Sequence, residues 1–370
     1  MATTYYNGII HTGYDVLEHH AVVTEGDRIK AVLPVDDLDG GPKESDSWID
    51  LEGAHLAPAF IDLQIYGGQG RLFSEHPSVE AIQSTYRYSL EGGAAYFQPT
   101  MATQSDALMS KAIEAVAAYQ AQGLPGVLGL HLEGPYINPA KKGAHHEAYI
   151  QVPEMEKVES LLREAGPHLT MMTLAPERCD PRIIQRLIRA GVKVSAGHTN
   201  ASYAEALEGF ELGIVNATHL FNAMTPLGHR APGTVGALLD KRHIYTSIVA
   251  DGHHVDFPVI RIAKRILGDK LFLITDAVAE NNEGIYRHQL KADRYTLPDG
   301  TLSGSALTMI KAVQNCVEQI GIPLDEALRM ASLYPARAMD LDHRLGALQP
   351  GMEASLVWFD NDYRVRKVFV

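Results

Sequence analysis

Short apolar runs recur through the middle of the chain, separated by stretches with helical periodicity. Eight such runs stand out: APAFIDL (57–63), AAYFQPT (94–100), VLGLHLE (127–133), LTMMTLA (169–175), VKVSAGH (192–198), IVNATHL (214–220), IYTSIVA (244–250) and LFLITDA (271–277). Helix signals fall in the gaps between them. The best delimited is DPRIIQRLIRAG (180–191), with Asp180 as N-cap, Pro181 at the first helical position and Gly191 as the stop. Ser202-Tyr-Ala-Glu205 has the spacing of a capping box and opens another helix. Strand and helix alternating eight times predicts a (β/α)8 barrel. The rival is a doubly wound open sheet, which needs fewer strands or a glycine-rich phosphate loop after the first one, and GxGxxG is absent there.

The two ends of the chain follow a different pattern. AVVTEG (21–26) and RIKAVLP (28–34) alternate and are joined by a Gly-Asp turn, which predicts a hairpin. GALQPGMEASLVWFD (346–360) and YRVRKVFV (363–370) repeat the style. One small β-sandwich domain built from residues 1–56 and 341–370 follows, with the barrel inserted over residues 57–340.

The barrel expectation explains where the polar residues fall. Catalytic groups of such barrels sit at the C-terminal ends of the strands and converge on one mouth. Here the third run ends in Glu133, the fifth in His198, the sixth in His219 and the eighth in Asp276, while Asp251 and His254 follow the seventh. Two imidazoles and one carboxylate form a three-ligand set for a catalytic zinc, with one position open to water. Asp276 is the natural proton acceptor for that water. This arrangement points to a metal-dependent hydrolase.

Composition narrows the alternatives. A chain of 370 residues, 46% apolar, is globular and able to bury a large core. Two cysteines, Cys179 and Cys316, make no disulfide framework and no metal-binding pair, as expected of buried residues in a reducing compartment. The start, MATTYYNGII, lacks the basic and apolar regions of a signal peptide, and no stretch approaches the apolar length of a membrane span. A cytoplasmic protein without membrane partners is the expectation. The net charge of −13 argues against nucleic acid. It also means that an anionic substrate must be held by local groups against the long-range field.

Longer segments carry a resemblance. HLEGPYINPAKKGAHH (131–146), SAGHTNASY (195–203), THLFNAMTPLGHRAPG (218–233), ADGHHVD (250–256), LITDAVAE (273–280) and SGSALTM (303–309) together resemble the N-acetylglucosamine-6-phosphate deacetylase family of the amidohydrolase superfamily. The closing run 331–360 resembles that superfamily's return to its small β domain.

The resemblance implies hydrolytic deacetylation of a small sugar phosphate, N-acetylglucosamine-6-phosphate, to glucosamine-6-phosphate and acetate. A galacto-configured substrate, another amidohydrolase reaction and a non-catalytic scaffold are the alternatives. By the same resemblance Glu133, His198 and His219 are metal ligands, Asp276 is general base and acid, and His145 polarises the substrate carbonyl. Asn222, Ala223, Arg230 and His254 match sugar-phosphate contacts, with the arginine reaching in from a neighbouring subunit, so a homodimer is expected. In the His-His pairs, His146 and His253 are expected to be bystanders.

One departure bears on the metal. Many amidohydrolases carry His-x-His at the end of the first barrel strand and so hold a second ion. This chain reads Asp62-Leu-Gln64-Ile-Tyr66, and neither Gln nor Tyr is a good zinc ligand at neutral pH. One divalent ion per subunit, zinc by its ligand set, is therefore expected, with Gln64 at most touching a bound water. Iron, cobalt and manganese occupy similar sites.

Overall fold

The computed structural model describes residues 2–38 and 47–370. Contacts divide it into two units: Met1–Asp62 with Ser89–Tyr96 and Thr308–Val370, and Leu63–Tyr88 with Phe97–Leu307.

Every one of the eight apolar runs overlaps a strand. They are β1 (Phe60–Ile65), β2 (Ala94–Ala102), β3 (Leu130–Glu133), β4 (Leu169–Leu174), β5 (Lys193–Ala196), β6 (Asn216–Ala217), β7 (Tyr245–Ile248) and β8 (Leu271–Leu273). Their order in the sheet is the chain order, and the pairs from β2 to β8 are parallel. Closure comes just beyond β8, where Ile65 bridges Ala277. There the Asp276 N–H donates to Gln64 O at 3.0 Å and the Tyr66 N–H to Ala277 O at 2.8 Å. The ring is thus a barrel rather than an open sheet. Closing it places the ends of β1 and β8, and the residues just after them, side by side.

The helix signals hold as well. Asp180 caps Pro181–Arg189 by accepting the Arg182 N–H, and Ser202 and Glu205 form the reciprocal capping box of Tyr203–Glu211. One element has no counterpart in the sequence reading. After β8 the chain forms a three-stranded antiparallel meander, Gln289–Lys291, Arg294–Thr296 and Leu302–Ser305.

The other unit contains two sheets of strands drawn from both termini. One has four strands, with the expected hairpin His20–Glu25 and Arg28–Pro34 beside Ala2–Tyr6 and Ser47–Asp50. The five-stranded sheet joins Ile9–His11, Val16–Leu17 and His55–Pro58 to Leu356–Phe359 and Val365–Phe369. Tyr5 of the first sheet meets Phe369 of the second edge to face, ring centroids 4.8 Å apart, which fits two stacked layers. Among the described residues no helix is long and apolar enough to cross a membrane.

Candidate active site

Glu133 is the last residue of β3, and His198 and His219 follow β5 and β6 by two residues each. Asp276 lies three residues beyond β8. Each strand therefore delivers its polar residue to the same end of the barrel. Delivery requires sharp local turns. His198, His219 and Asp276 have φ of 46°, 36° and 56°, and Ala223 has 51°. Such left-handed backbone costs on the order of 1–3 kcal/mol per residue and persists where surrounding structure enforces it. Gly197 shows how tight the fit is, because a Cβ there would stand 2.6 Å from Thr173 Cγ2.

The three candidate ligands converge. His219 Nε2 is 2.9 Å and His198 Nε2 3.3 Å from Glu133 Oε1, and the two imidazole nitrogens are 3.1 Å apart. Zinc bonds of about 2.0–2.1 Å at tetrahedral angles would separate neighbouring ligand atoms by roughly 3.3 Å, so the set fits one such ion. Ring orientation agrees, since His198 Nδ1 donates to Lys141 O at 2.8 Å and so turns the Nε2 lone pair inward. All three residues are buried.

Charge is arranged accordingly. Burial alone would raise the Glu133 carboxyl, but the imidazoles of His198 and His145 beside it hold it well below its usual range. For His198 burial lowers the pKa, but Glu133 together with the backbone of Lys141 and Lys142 raises it above the usual value. Burial lowers His219.

His145 joins this group from the loop after β3. Its Nε2 lies 2.9 Å from Glu133 Oε2. Its Nδ1 is 3.2 Å from the Thr103 N–H and 2.8 Å from the Thr103 hydroxyl. A backbone N–H can only donate, so Nδ1 is an acceptor and the ring proton sits on Nε2. Burial, with His198 alongside, lowers its pKa and keeps the ring neutral.

Asp276 Oδ1 accepts the Gln64 amide at 2.8 Å, and its Oδ2 is 3.7 Å from His254 Nε2. His254 is itself oriented by Asp251, whose Oδ2 takes the Nδ1–H at 2.6 Å. Burial would raise Asp251, but the His254 bond and the backbone N–H groups of His253 and His254 keep it low.

Glu133, His145, His198, His219, His254 and Asp276 line one cavity of about 180 Å³, together with Asn222 and Ala223. Arg230 is the exception among the expected site residues: it is exposed and does not line the cavity. His253 pairs with Asp293 at 3.0 Å, outside the cavity.

Gln64 does more than expected: its Nε2 also lies 3.0 Å from Glu133 Oε1 and 2.9 Å from the Tyr66 hydroxyl, so its two N–H groups are shared among three acceptors. Sequence reasoning set Tyr66 aside as a poor zinc ligand without giving it another role, and missed Thr103, Tyr286 and His288. Tyr66 was findable, because two residues past Gln64 on an extended strand is the same face.

Residues 55–370 match the amidohydrolase family, and residues 5–56 match the NagA composite domain. The chain belongs to the amidohydrolase family. Its members include an N-acetylglucosamine-6-phosphate deacetylase of Haemophilus influenzae, 39% identical over 97% of this chain and 95% of that one. An N-acetylgalactosamine-6-phosphate deacetylase of a Shewanella species is 34% identical over 86% and 83%. The crystal structure of N-acetylglucosamine-6-phosphate deacetylase from Pasteurella multocida superposes with a TM-score of 0.95 at 39% identity, covering 100% of this chain and 98% of that one. Amidohydrolases act on amides with a metal ion, and the Glu133–His198–His219 cluster can hold one.

Proposed function

We propose that this amidohydrolase removes the acetyl group of N-acetylglucosamine-6-phosphate by hydrolysis, giving glucosamine-6-phosphate and acetate. The carrying observation is the convergence of Glu133, His198 and His219 on one point, with Asp276 and His145 on the same cavity. The 39% identity to the Haemophilus enzyme supplies the substrate. The same reading assigns Glu133, His198 and His219 to one divalent ion per subunit, zinc by its nitrogen and oxygen ligands.

When bound, the ion makes water acidic enough to attack at neutral pH and polarises the amide carbonyl. Asp276 takes the proton released as water adds to the acetyl carbon, and passes it to the amine nitrogen as the C–N bond breaks. Gln64, bonded to Asp276 Oδ1, fixes the carboxylate for both transfers. His145 offers its Nε2–H to the oxygen on which negative charge develops. His254, with Nδ1–H on Asp251, presents Nε2 toward a sugar hydroxyl. The phosphate lies against the Asn222 and Ala223 backbone and against Arg230 of the partner subunit, a charge-assisted contact. A homodimer follows from that last assignment. A cytoplasmic location fits two cysteines that are both thiols.

The second reading keeps the chemistry and changes the sugar, on the strength of the 34% identical galactosamine-type relative. Both are tested by amine release from N-acetylglucosamine-6-phosphate, its galacto epimer and unphosphorylated N-acetylglucosamine, with metal quantified. Fast turnover of the first, weak turnover of the last and about one ion per chain are expected. Preference for the epimer selects the second reading, and no turnover of any substrate by metal-loaded protein rejects both.

A further inference from the structure

Glu133 is surrounded by groups that compete for its two oxygens. Oε1 faces His198 and His219 and accepts the Gln64 amide at 3.0 Å. Oε2 accepts the phenol O–H of Tyr66 and the Nε2–H of His145, the latter at 2.9 Å. Both Tyr66 and Glu133 are buried, at 7% and 2% exposure.

The terminal torsion of a glutamate is broad and nearly two-fold. An unrestrained carboxylate could therefore present either oxygen, or both, to the two imidazoles. Two donors on Oε2 remove that freedom. One of them, His145, is the group assigned above to the substrate oxygen, and its N–H cannot serve both acceptors at full strength. Tyr66 has no such second duty: its hydroxyl donates to Glu133 Oε2 and accepts from Gln64 Nε2 at 2.9 Å. Gln64 in turn reaches Asp276, so the phenol, the amide and two carboxylates form one continuous set of hydrogen bonds.

We propose that Tyr66 is a positioning residue for the metal carboxylate, holding Glu133 Oε2 so that Oε1 alone is presented to the ion while His145 turns to the substrate. The proposal rests on the metal reading given above. Outer groups that orient a ligand are worth 10–100-fold in metal affinity.

The test is Tyr66→Phe in the full-length protein, with zinc affinity measured by competition with a chromophoric chelator and the visible spectrum recorded after cobalt substitution. Expected are a zinc dissociation constant raised about 10–100-fold, one ion per chain at saturation, and altered cobalt d–d bands as the carboxylate shifts toward two-oxygen binding. The melting temperature of the metal-free protein should stay near the wild-type value, which separates positioning from a packing defect. If the phenyl ring disturbs the fold, Tyr66→Asn gives the same comparison without the phenol. Wild-type affinity and spectrum in a folded Tyr66 variant overturn the proposal. Glu133→Gln is the control: zinc binding unchanged in that variant overturns the metal reading itself, whereas binding lost in it but intact in Tyr66→Phe overturns only the role of Tyr66.

Discussion

Asp276 is asked to move two protons, and its surroundings are built for that. Gln64 fixes one oxygen, His254 stands 3.7 Å from the other, and the backbone is held at a φ of 56° by the seam with β1. Asparagine preserves the shape and accepts the same left-handed backbone, but it cannot take a proton. Asp276→Asn should therefore keep its metal and lose about 10²–10⁴ in kcat; near-normal turnover of the metal-loaded variant would reject the role. Not every residue-level feature was visible beforehand. The ligand triad was legible because each member ends an apolar run. The protonation of His145 was not, because it depends on Thr103, a residue from another strand end brought near only by folding.

At the level of elements, legibility followed burial. The barrel strands announce themselves because a strand inside a barrel must be apolar over its length, and that is a local signal. Helix ends were equally plain wherever the cap is a side chain, as at Asp180 and Ser202. The meander after β8 left no such mark. Its strands are three or four residues long and mixed in burial and polarity, so no apolar run betrays them. Yet Leu302, Ser303 and Gly304 of that meander line the cavity. β6 shows the opposite mismatch, a seven-residue apolar run of which only Asn216–Ala217 enters the ladder, the rest turning to deliver His219.

Two properties belong to the whole molecule. The first is quaternary. Arg230 is exposed and lies off the cavity of its own chain, so its proposed role needs a second copy. Arg230→Ala and Asp276→Asn should each be poor on phosphorylated substrate, but a mixture refolded together should regain activity. Each mixed dimer would own one site with an intact Asp276 and an intact arginine from across the interface. No recovery in mixtures shown to exchange subunits would remove the arginine from the site.

The second property is the response to acid. His11 and His288 are each pushed down to about 4, chiefly by burial, the first with His55 as a further cause. In the unfolded chain both titrate near 6.5. Between those values the unfolded chain binds protons that the native one does not. Stability is therefore full above about pH 6.5 and falls as the pH drops toward 4, by up to roughly 1.4 kcal/mol per pH unit for each group. Urea unfolding at pH 7, 6 and 5 should show this loss, and His288→Gln should make it shallower. An unchanged pH dependence in that variant would mean that His288 contributes nothing to it.

The β-sandwich drawn from both termini sets a schedule for synthesis. Leu356–Phe359 and Val365–Phe369 leave the ribosome only after the whole barrel segment, and Tyr5 waits for Phe369 until then. At about 5–20 residues per second that delay is roughly 20–70 s. The barrel segment emerges whole in the interval, with time to fold, while the hairpin at 20–34 and its neighbours stand with unpaired apolar faces. A pause or a truncation before residue 356 thus strands the first-made part of the protein as the piece in need of a chaperone.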